Sequence, residues 1–125
     1  MKVRSVFQPE VLSARIDESL LGAIQEMNFQ GVSALPVIEH ETLVGIITER
    51  DVIRAIAEGV DVSSAPVGKH MTRGPTSVEL ETSVPQAASM MLDLGTRHLP
   101  VVEGGRVVGM VSSRDLLVEQ AFEGE

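Results

Sequence analysis

The chain has 125 residues, of which 43% are hydrophobic, and its ten basic and eighteen acidic side chains give a formal net charge of −8. The absence of cysteine excludes disulfides and thiolate metal sites, and the acidic balance argues against general affinity for nucleic acid, whose phosphates attract clustered Lys and Arg. Because no apolar run is long enough to cross a membrane and the first residues lead into no signal sequence, we expect a cytoplasmic, soluble protein.

The chain contains two copies of one pattern, displaced by 64 residues. The segment Leu-Pro-Val-Ile at Leu35–Ile38 recurs as Leu-Pro-Val-Val at Leu99–Val102. Of the 55 residues in the region 3–57, 15 are identical to the residue 64 positions later. Self-similarity at a fixed displacement is typical of a duplicated structural unit. We therefore predict two repeats, residues 1–61 and 62–125, that together form one module.

Each copy is predicted to begin with a short extended segment followed by a capped amphipathic helix. Ser19 and Ser83 are the predicted N-caps, and Gly31 and Gly95 are predicted to end the two helices. The apolar residues of each helix recur at the spacing i, i+4, i+7, which places them on one face. The extended segments are Val11–Ala14 and Pro75–Val78, and the apolar positions are Leu20, Ile24 and Met27 in the first copy and Val84, Ala88 and Met91 in the second.

Two apolar strands and a final helix complete each copy. The strands are apolar almost throughout, which predicts burial on both faces. In the second copy, Gly104-Gly105 predicts a tight hairpin turn, because paired glycines adopt the positive φ angles that such a turn requires. The order is β-α-β-β-α, twice, in the α+β class. The strand pairs are Leu35–Glu39 with Leu43–Thr48 and Leu99–Glu103 with Val107–Ser112, and the helices are predicted to begin at Arg50-Asp51 and Arg114-Asp115.

A hydroxyl and a carboxylate recur where the last strand of each copy meets the final helix. Thr48 precedes Asp51 by three residues, and Ser112 precedes Asp115 by the same interval. The free N–H groups of a helix start favour an anion, and a carboxylate can accept both hydroxyls of a ribose. The same two residues also form an ordinary helix cap. Both interpretations remain open at this point.

The Leu-Pro-Val strand followed by Gly-x-x-Thr/Ser-x-x-Asp, present twice, resembles a tandem pair of cystathionine-β-synthase (CBS) domains, the Bateman module. The resemblance covers essentially the whole chain. It implies two small sheets packed about a pseudo-twofold axis, with clefts where the copies meet. It also implies that Asp51 and Asp115 hold the ribose of an adenosyl ligand, while Thr48 and Ser112 reach phosphate. The ligands implied are AMP, ADP, ATP, S-adenosylmethionine and NAD-type molecules.

The resemblance further implies that basic residues just before the Leu-Pro strand contact phosphate and serve the aspartate of the opposite copy. Arg97 and His98 occupy that position in the second copy and would serve Asp51. The first copy has Ser33 and Ala34 there, which carry no charge. We therefore expect two unequal clefts, of which only the one built on Asp51 prefers a phosphorylated ligand. The alternative is a solvated arginine beside a strand-edge histidine.

A second group of basic residues, Lys69, His70 and Arg73, lies in a segment that the resembled family places near the cleft. The sequence favours a simpler interpretation. We interpret the group as an exposed helix end, where cations are compatible with the helix dipole.

The sequence favours a regulatory module over an enzyme. It contains no catalytic or metal-binding motif, and we expect no cofactor. The leading hypothesis is a module that binds an adenosyl ligand and signals to a separate, unidentified effector protein. The alternative is a structural scaffold with empty clefts that assembles through its helices. Because the final helices carry Val52, Ile53 and Ile56 in one copy and Leu116 and Leu117 in the other, we predict a twofold homodimer.

Overall fold

Helices and strands follow one another in the α+β order that the sequence predicts. The structure is a computed structural model, and it describes residues 1–9 and 12–117. Two single 3-10 turns, Val3–Ser5 and Val67–Lys69, stand outside this order. The other elements are α1 (Leu20–Gln30), β1 (Ala34–Glu39), β2 (Thr42–Thr48), α2 (Glu49–Ala57), β3 (Thr72–Arg73), β4 (Val78–Glu79), α3 (Val84–Leu94), β5 (His98–Glu103), β6 (Arg106–Ser112) and α4, of which residues 113–117 are described.

The chain forms two compact units that are divided differently from the sequence copies. The first unit is Leu12–Pro75, and the second unit combines Met1–Val11 with Thr76–Glu125. The start of the chain thus belongs to the unit of the second copy, and residues 67–75 belong to the unit of the first. The repeat bounds 1–61 and 62–125 concern sequence similarity, and they stay a prediction.

Backbone pairing explains why the units are composed in this way. In the first unit, β3 pairs antiparallel with β2, and Thr72 lies opposite Ile46. In the second unit, Gln8 makes the equivalent bridge to Met110, with N···O distances of 2.8 and 3.1 Å. The two bridges are related by the 64-residue displacement. Each copy therefore provides the short segment that completes the sheet of the other copy's unit.

The two hairpins are both antiparallel, and each contains a β-bulge at the equivalent position. Strands β1 and β2 are antiparallel, and so are β5 and β6. The register shifts between Val37 and Ile38 in the first hairpin and between Val101 and Val102 in the second. This bulge leaves Val44 of β2 without a partner in β1. Consecutive buried residues in β1 and β5 agree with the predicted burial of both strand faces.

The predicted helix caps are confirmed. The Ser19 hydroxyl accepts the Gly22 N–H at 3.1 Å, and the Ser83 hydroxyl does the same for Gln86. Gly31 and Gly95 end α1 and α3 in the left-handed conformation. The predicted apolar faces pack on the two cores, with Ile24 and Ala88 partly buried there and Ala23 and Ala87 fully buried beside them.

The final helices begin one residue earlier than predicted. Helix α2 starts at Glu49, because Thr48 is its N-cap and the Arg-Asp pair lies inside the first turn. In the second copy, residues 113–117 are helical and follow Ser112 directly. Residues 118–125, and Val11 of the first predicted extended segment, lie outside the described residues.

The hairpin turns differ between copies. Gly104 and Gly105 have φ angles of 59° and 81°, as the sequence predicts. In the first hairpin, His40 and Glu41 adopt positive φ angles of 50° and 67° without a glycine. No residue of this turn predicts the positive φ angles, since a side chain is disfavoured in that conformation.

Residues 61–66 link the two copies, and this linker packs on the start of α1 in the first unit. The Val62 and Ala65 carbonyls accept the N–H groups of Leu21 and Leu20 at 2.9 and 2.8 Å, at the start of α1. Hydrogen bonds from Ser63 lower the pKa of the Asp61 carboxyl in the same turn. The linker therefore satisfies helix donors that would otherwise have no backbone partner.

Ion pairs tie the first residues to the second unit. The Lys2 ammonium lies 2.8 Å from a Glu81 carboxylate oxygen, and Arg4 bonds the other oxygen. Hydrogen bonds from Lys2 and Arg4 lower the pKa of the Glu81 carboxyl. All three side chains are more than half exposed, so we expect a modest contribution to stability.

In the described part of the chain, no helix combines the length and the apolar character that spanning a bilayer requires.

The bridge between Gln8 and Met110 predicts that Gly109 tolerates no side chain. A Cβ at Gly109 would lie 2.1 Å from the Gln8 carbonyl oxygen. We expect Gly109→Ala to destabilise the protein by about 1–3 kcal/mol in urea denaturation, because backbone atoms must separate. Gly22→Ala is the matched control, since it lies in α1 beside the flexible Glu18 side chain and should be neutral or stabilising. Equal stability of Gly109→Ala and the unchanged protein would contradict the pairing.

Candidate functional site

Thr48 and Asp51 form a reciprocal cap at the junction of β2 and α2. The Thr48 N–H donates to Asp51 Oδ2 at 3.0 Å, and the Asp51 N–H donates to Thr48 Oγ1 at 3.2 Å. This is the capping box, in which two residues three apart satisfy each other's N–H groups. The cap interpretation of these two residues is therefore confirmed.

Ser112 and Asp115 repeat this arrangement at the junction of β6 and α4. The Ser112 N–H donates to Asp115 Oδ2 at 2.8 Å, and the Asp115 N–H donates to Ser112 Oγ at 3.2 Å. The two junctions share one backbone geometry, so any difference in their chemistry must come from the side chains around the two carboxylates.

The Asp51 carboxylate is buried and surrounded by donors. The residue is 4% exposed. Thr72 Oγ1 donates to it at 3.3 Å from across the sheet, and Arg54 Nη1 lies 3.3 Å from Oδ1. With the cap bonds from Thr48, both carboxylate oxygens are engaged. A ligand that binds this carboxylate has to displace at least one of these groups.

The Asp115 carboxylate is more accessible. Its residue is only partly buried, and one neutral amide, Gln8 Nε2 at 3.1 Å, occupies Oδ1. A neutral amide is a weaker competitor than a guanidinium, because hydrogen bonds to charged groups are the stronger ones. The second unit therefore offers the carboxylate that a ligand reaches more easily.

Thr72 and Gln8 were missed by the sequence analysis. They are 64 residues apart and contact equivalent carboxylates, each from the segment that crosses to the other copy's unit. Because Phe7-Gln8-Pro9 and Met71-Thr72-Arg73 share no residue, no motif marked these positions. The two positions could have been recognised because they coincide when one copy is superposed on the other by the 64-residue displacement.

Arg97 and His98 lie beside the Ser112–Asp115 junction of their own unit. His98 pairs with Ser112 across the hairpin, and the Arg97 carbonyl accepts the Ser113 N–H at 2.9 Å. Arg97 is exposed, and its side chain makes no hydrogen bond or ion pair within residues 1–9 and 12–117. The sequence-based assignment of Arg97 and His98 to Asp51 stays a prediction.

Ser33 and Ala34 hold the corresponding position in the first unit. The Ser33 carbonyl accepts the Glu49 N–H at 3.0 Å, and Ala34 pairs with Thr48. Ala34 is buried, so it offers no polar group to a ligand. Within its own unit, Asp115 therefore has the basic residues Arg97 and His98 at the adjoining hairpin end. Asp51 has the uncharged Ser33 and Ala34 in the same position.

Metal ligands are not gathered at either junction. In the described residues, no three of the His, Asp and Glu side chains are close enough together to hold a metal ion.

Comparison with known proteins identifies both copies. The family model of the CBS domain matches residues 3–58 and 67–121. An uncharacterized 17.7 kDa protein of Acidianus ambivalens is 38% identical over 92% of this chain, which spans 70% of that protein. The mitochondrial CBS domain-containing protein CBSX3 of Arabidopsis thaliana is 36% identical over 81% of this chain. The chain spans 52% of the length of that plant protein.

Solved structures show the same fold. The crystal structure of a CBS domain, NE2398, has a TM-score of 0.92 and 31% identity, and the match covers 97% of this chain and 98% of that one. The CBS domain pair of protein MJ0100 was crystallised with 5′-methylthioadenosine and S-adenosyl-L-methionine. It has a TM-score of 0.87 and 27% identity, with coverage of 99% of this chain and 97% of that one.

The different surroundings of the two carboxylates predict different costs of removal. We expect Asp51→Ala to destabilise the protein by about 2–3 kcal/mol, because it removes the cap and the hydrogen bonds that the buried carboxylate accepts from Thr48 and Thr72. Asp115→Ala should cost about 1 kcal/mol, because its site is more exposed to water.

Urea denaturation of both variants measures these costs. Asp17→Ala removes an exposed carboxylate whose ion pair in the described residues is with Arg15, and it serves as the control with an effect below about 0.5 kcal/mol. An equal cost for Asp51→Ala and Asp115→Ala would contradict the difference in burial.

Proposed function

The chain belongs to the CBS domain family, and we propose that its pair of CBS domains is a non-catalytic regulatory module that binds an adenosyl ligand. The observation that carries the proposal is the junction of Ser112 and Asp115, where a partly exposed carboxylate lies in the same unit as an exposed arginine, Arg97, whose side chain has no partner among the described residues. The MJ0100 domain pair, which binds two adenosyl compounds, supports the ligand class.

Asp115 is suited to a ribose. A carboxylate has two acceptor oxygens, which match the two hydroxyls of a ribose. One oxygen now accepts from the Gln8 amide and the other from the Ser112 N–H. A ribose hydroxyl can replace the Gln8 amide at Oδ1, and the backbone cap on Oδ2 can remain. Binding at Asp115 therefore requires the loss of one neutral hydrogen bond.

Arg97 would supply the cation for an anionic ligand group. Its backbone is fixed at the end of the hairpin by the bond to Ser113, whereas its side chain has no partner among the described residues. An arginine can bind phosphate through two parallel N–H donors. AMP, ADP, ATP and NAD-type ligands carry such a phosphate, and S-adenosylmethionine shares the adenosine with them. We infer that Arg97 favours the phosphorylated members of this class.

The version derived from the sequence, in which Arg97 and His98 serve Asp51, remains the second candidate. It places Ser33 and Ala34 at Asp115. The Asp51 carboxylate is 3% exposed and is already bonded to Thr72 and Arg54, which disfavours it as the first anchor. The two versions predict different variants that lose binding.

Calorimetric titration with AMP and adenosine tests the proposal. We expect the unchanged protein to prefer AMP, and Arg97→Ala to weaken AMP binding by about ten- to a hundredfold while adenosine affinity changes by less than about twofold. Asp115→Asn keeps one acceptor oxygen for the cap and should weaken both ligands. Asp51→Asn should have little effect.

Two results would count against adenosyl binding at Asp115, one from these titrations and one from thermal denaturation. Loss of AMP binding in Asp51→Asn alone would replace it with the sequence-based assignment. At a hundredfold excess over Kd, a ligand stabilises the fold by about 2.7 kcal/mol. The absence of a rise in Tm with every adenosyl compound named above would favour the alternative, a scaffold with empty clefts.

Regulation requires that binding be transmitted to another chain, and we propose that the module acts as a homodimer on a separate effector protein. Helix α2 exposes 66% of Ile53 and 57% of Ile56, whereas Val52 is buried in the core. Leu117, the counterpart of Ile53, is 63% exposed, and Leu116 is buried. The predicted apolar residues of the final helices thus divide into a core set and an exposed set.

A second copy of this chain is the partner that these helices fit. Around its exposed isoleucines, α2 carries charges of both signs, Arg50 and Arg54 with Glu49. A twofold interface brings a surface against itself, so a face with both signs is self-complementary. Effector identity is not encoded in any motif of the sequence.

Light scattering on a sizing column tests the dimer. We expect twice the 13.4 kDa chain mass at tens of micromolar, and we expect Ile53→Glu combined with Leu117→Glu to give the monomer, because charges replace apolar groups in the interface. Leu92→Glu is the matched control, since Leu92 is 83% exposed on α3 and should leave the dimer intact. Monomer formation by Leu92→Glu alone would contradict the assignment to the final helices.

A further inference from the structure

The first unit contains a cavity of about 220 Å³ that is separate from the Thr48–Asp51 junction. None of the junction residues lines it. Its apolar side is formed by Ile16, Val44 and Met71, and charged groups of Lys69, Arg73 and Glu39 lie at its rim. The cavity thus combines an apolar wall with cations, in a chain whose net charge is −8.

Two local features shape the apolar side of the cavity. The bulge between β1 and β2 leaves Val44 without a strand partner, and this residue lines the cavity. The 3-10 turn Val67–Lys69 lies close to Ile16, because Gly68 donates its N–H to the Ile16 carbonyl at 2.9 Å. A Cβ on Gly68 would lie 3.0 Å from that oxygen, so the close approach depends on glycine.

Within the described residues, the side chains of the two cations have no acidic partner. Arg73 bonds the Gly68 carbonyl through Nη2 at 3.3 Å, and the Lys69 ammonium makes no hydrogen bond there. Neither cation forms an ion pair in the described residues, because no side-chain nitrogen of Lys69 or Arg73 lies within 4 Å of a Glu39 carboxylate oxygen or of another described carboxylate. The interpretation of Lys69, His70 and Arg73 as an exposed helix end is correct for Lys69, which ends a 3-10 turn and is exposed. His70 follows that turn and is only partly exposed, and the interpretation is wrong for Arg73, which lies in β3 because this segment pairs with β2.

The second unit lacks cations at the two equivalent positions. The counterparts of Lys69 and Arg73 in the second unit are Ser5 and Pro9. The repeat frame alone therefore does not require cations at these two positions.

The side chains at other cavity-lining positions also differ between the two units. The counterpart of Gly68 is Arg4, and this arginine is paired with Glu81. The counterpart of Met71 is Phe7, whose ring packs against Gly109. The second unit thus has bulkier, already paired side chains where the first has a glycine and a flexible methionine.

We propose that this cavity binds a small aliphatic carboxylate. Arg73 and Lys69 hold the carboxylate, since arginine binds a carboxylate in a planar, bidentate manner. The aliphatic part packs against Ile16, Val44 and Met71. The volume is below the roughly 300–1,000 Å³ of typical drug-sized sites, which favours a molecule with a short carbon chain over a nucleoside. The cavity is thus a second ligand site, independent of the adenosyl site proposed above.

A carboxylate of this class occurs either alone or as part of an amino acid, and the probes separate the two sources. The first probe is 4-methylpentanoate, and the second is L-leucine, which adds an ammonium group that can face Glu39. The third is 3-methylbutylamine, which has an aliphatic chain and no carboxylate. In nuclear magnetic resonance titrations of the labelled protein, we expect saturable shifts of the Val44, Gly68 and Met71 amides with at least one of the two carboxylates and none with the amine.

Variants of the full chain complete the test. The double variant Lys69→Gln and Arg73→Gln should weaken the bound carboxylate at least about tenfold, because charge-assisted hydrogen bonds are lost. Arg50→Gln removes an exposed cation of the same unit outside the cavity, and it should change the affinity by less than about twofold. Met71→Phe introduces the residue that the second unit has, so the fold should tolerate it while the cavity fills and binding is lost.

The proposal is overturned if neither carboxylate causes saturable shifts, if the amine binds as well as the carboxylates, or if the double variant keeps full affinity. AMP titration of the double variant separates the two proposals. Unchanged AMP affinity with lost carboxylate affinity supports a distinct site, and loss of both in this variant shows that the cavity is part of the adenosyl site.

Discussion

Both units depend on the pairing of a short, distant segment with the second strand of each hairpin. Gln8 pairs with Met110 in one unit, and Thr72 pairs with Ile46 in the other. The close approach is permitted because the neighbouring strand residues Gly109 and Gly45 have no side chain. The same segments bring the Gln8 amide and the Thr72 hydroxyl to the two carboxylates of the strand-helix junctions. The interaction that completes each sheet therefore also sets the polar surroundings of each candidate site.

This coupling gives the proposed ligand a route to the rest of the fold. A ribose that takes Oδ1 of Asp115 displaces Gln8, which lies in the segment that closes the sheet of the second unit. The start of that segment is bound to Glu81 through Lys2 and Arg4, by exposed ion pairs of modest strength. A change at the carboxylate can thus reach the first residues of the chain, as the proposed regulatory role requires.

The two copies share one backbone arrangement, but the side chains around their candidate sites differ. The caps, hairpins, bulges and edge pairings correspond residue by residue under the 64-residue displacement. Asp51 is buried beneath Thr72 and Arg54, whereas Asp115 is accessible. The cavity with Lys69 and Arg73 occurs in the first unit, where the second has Ser5 and Pro9. The two units therefore differ in the side chains that a ligand would meet.

The sequence by itself determined the features that depend on residues a few positions apart. Ser19 and Ser83 as caps, Gly31 and Gly95 as helix ends, and the Gly104-Gly105 turn were all predictable, because a cap or a turn is decided within about four residues. The duplication and the pairs Thr48–Asp51 and Ser112–Asp115 were also readable, while the choice of Ala23 over Ile24 for the tightest packing was not. Only the tertiary structure decided which segment completes which sheet and which side chains meet the carboxylates. Those contacts join residues 21 and 107 positions apart, and no local pattern encodes them, because they are selected by the packing of the whole unit.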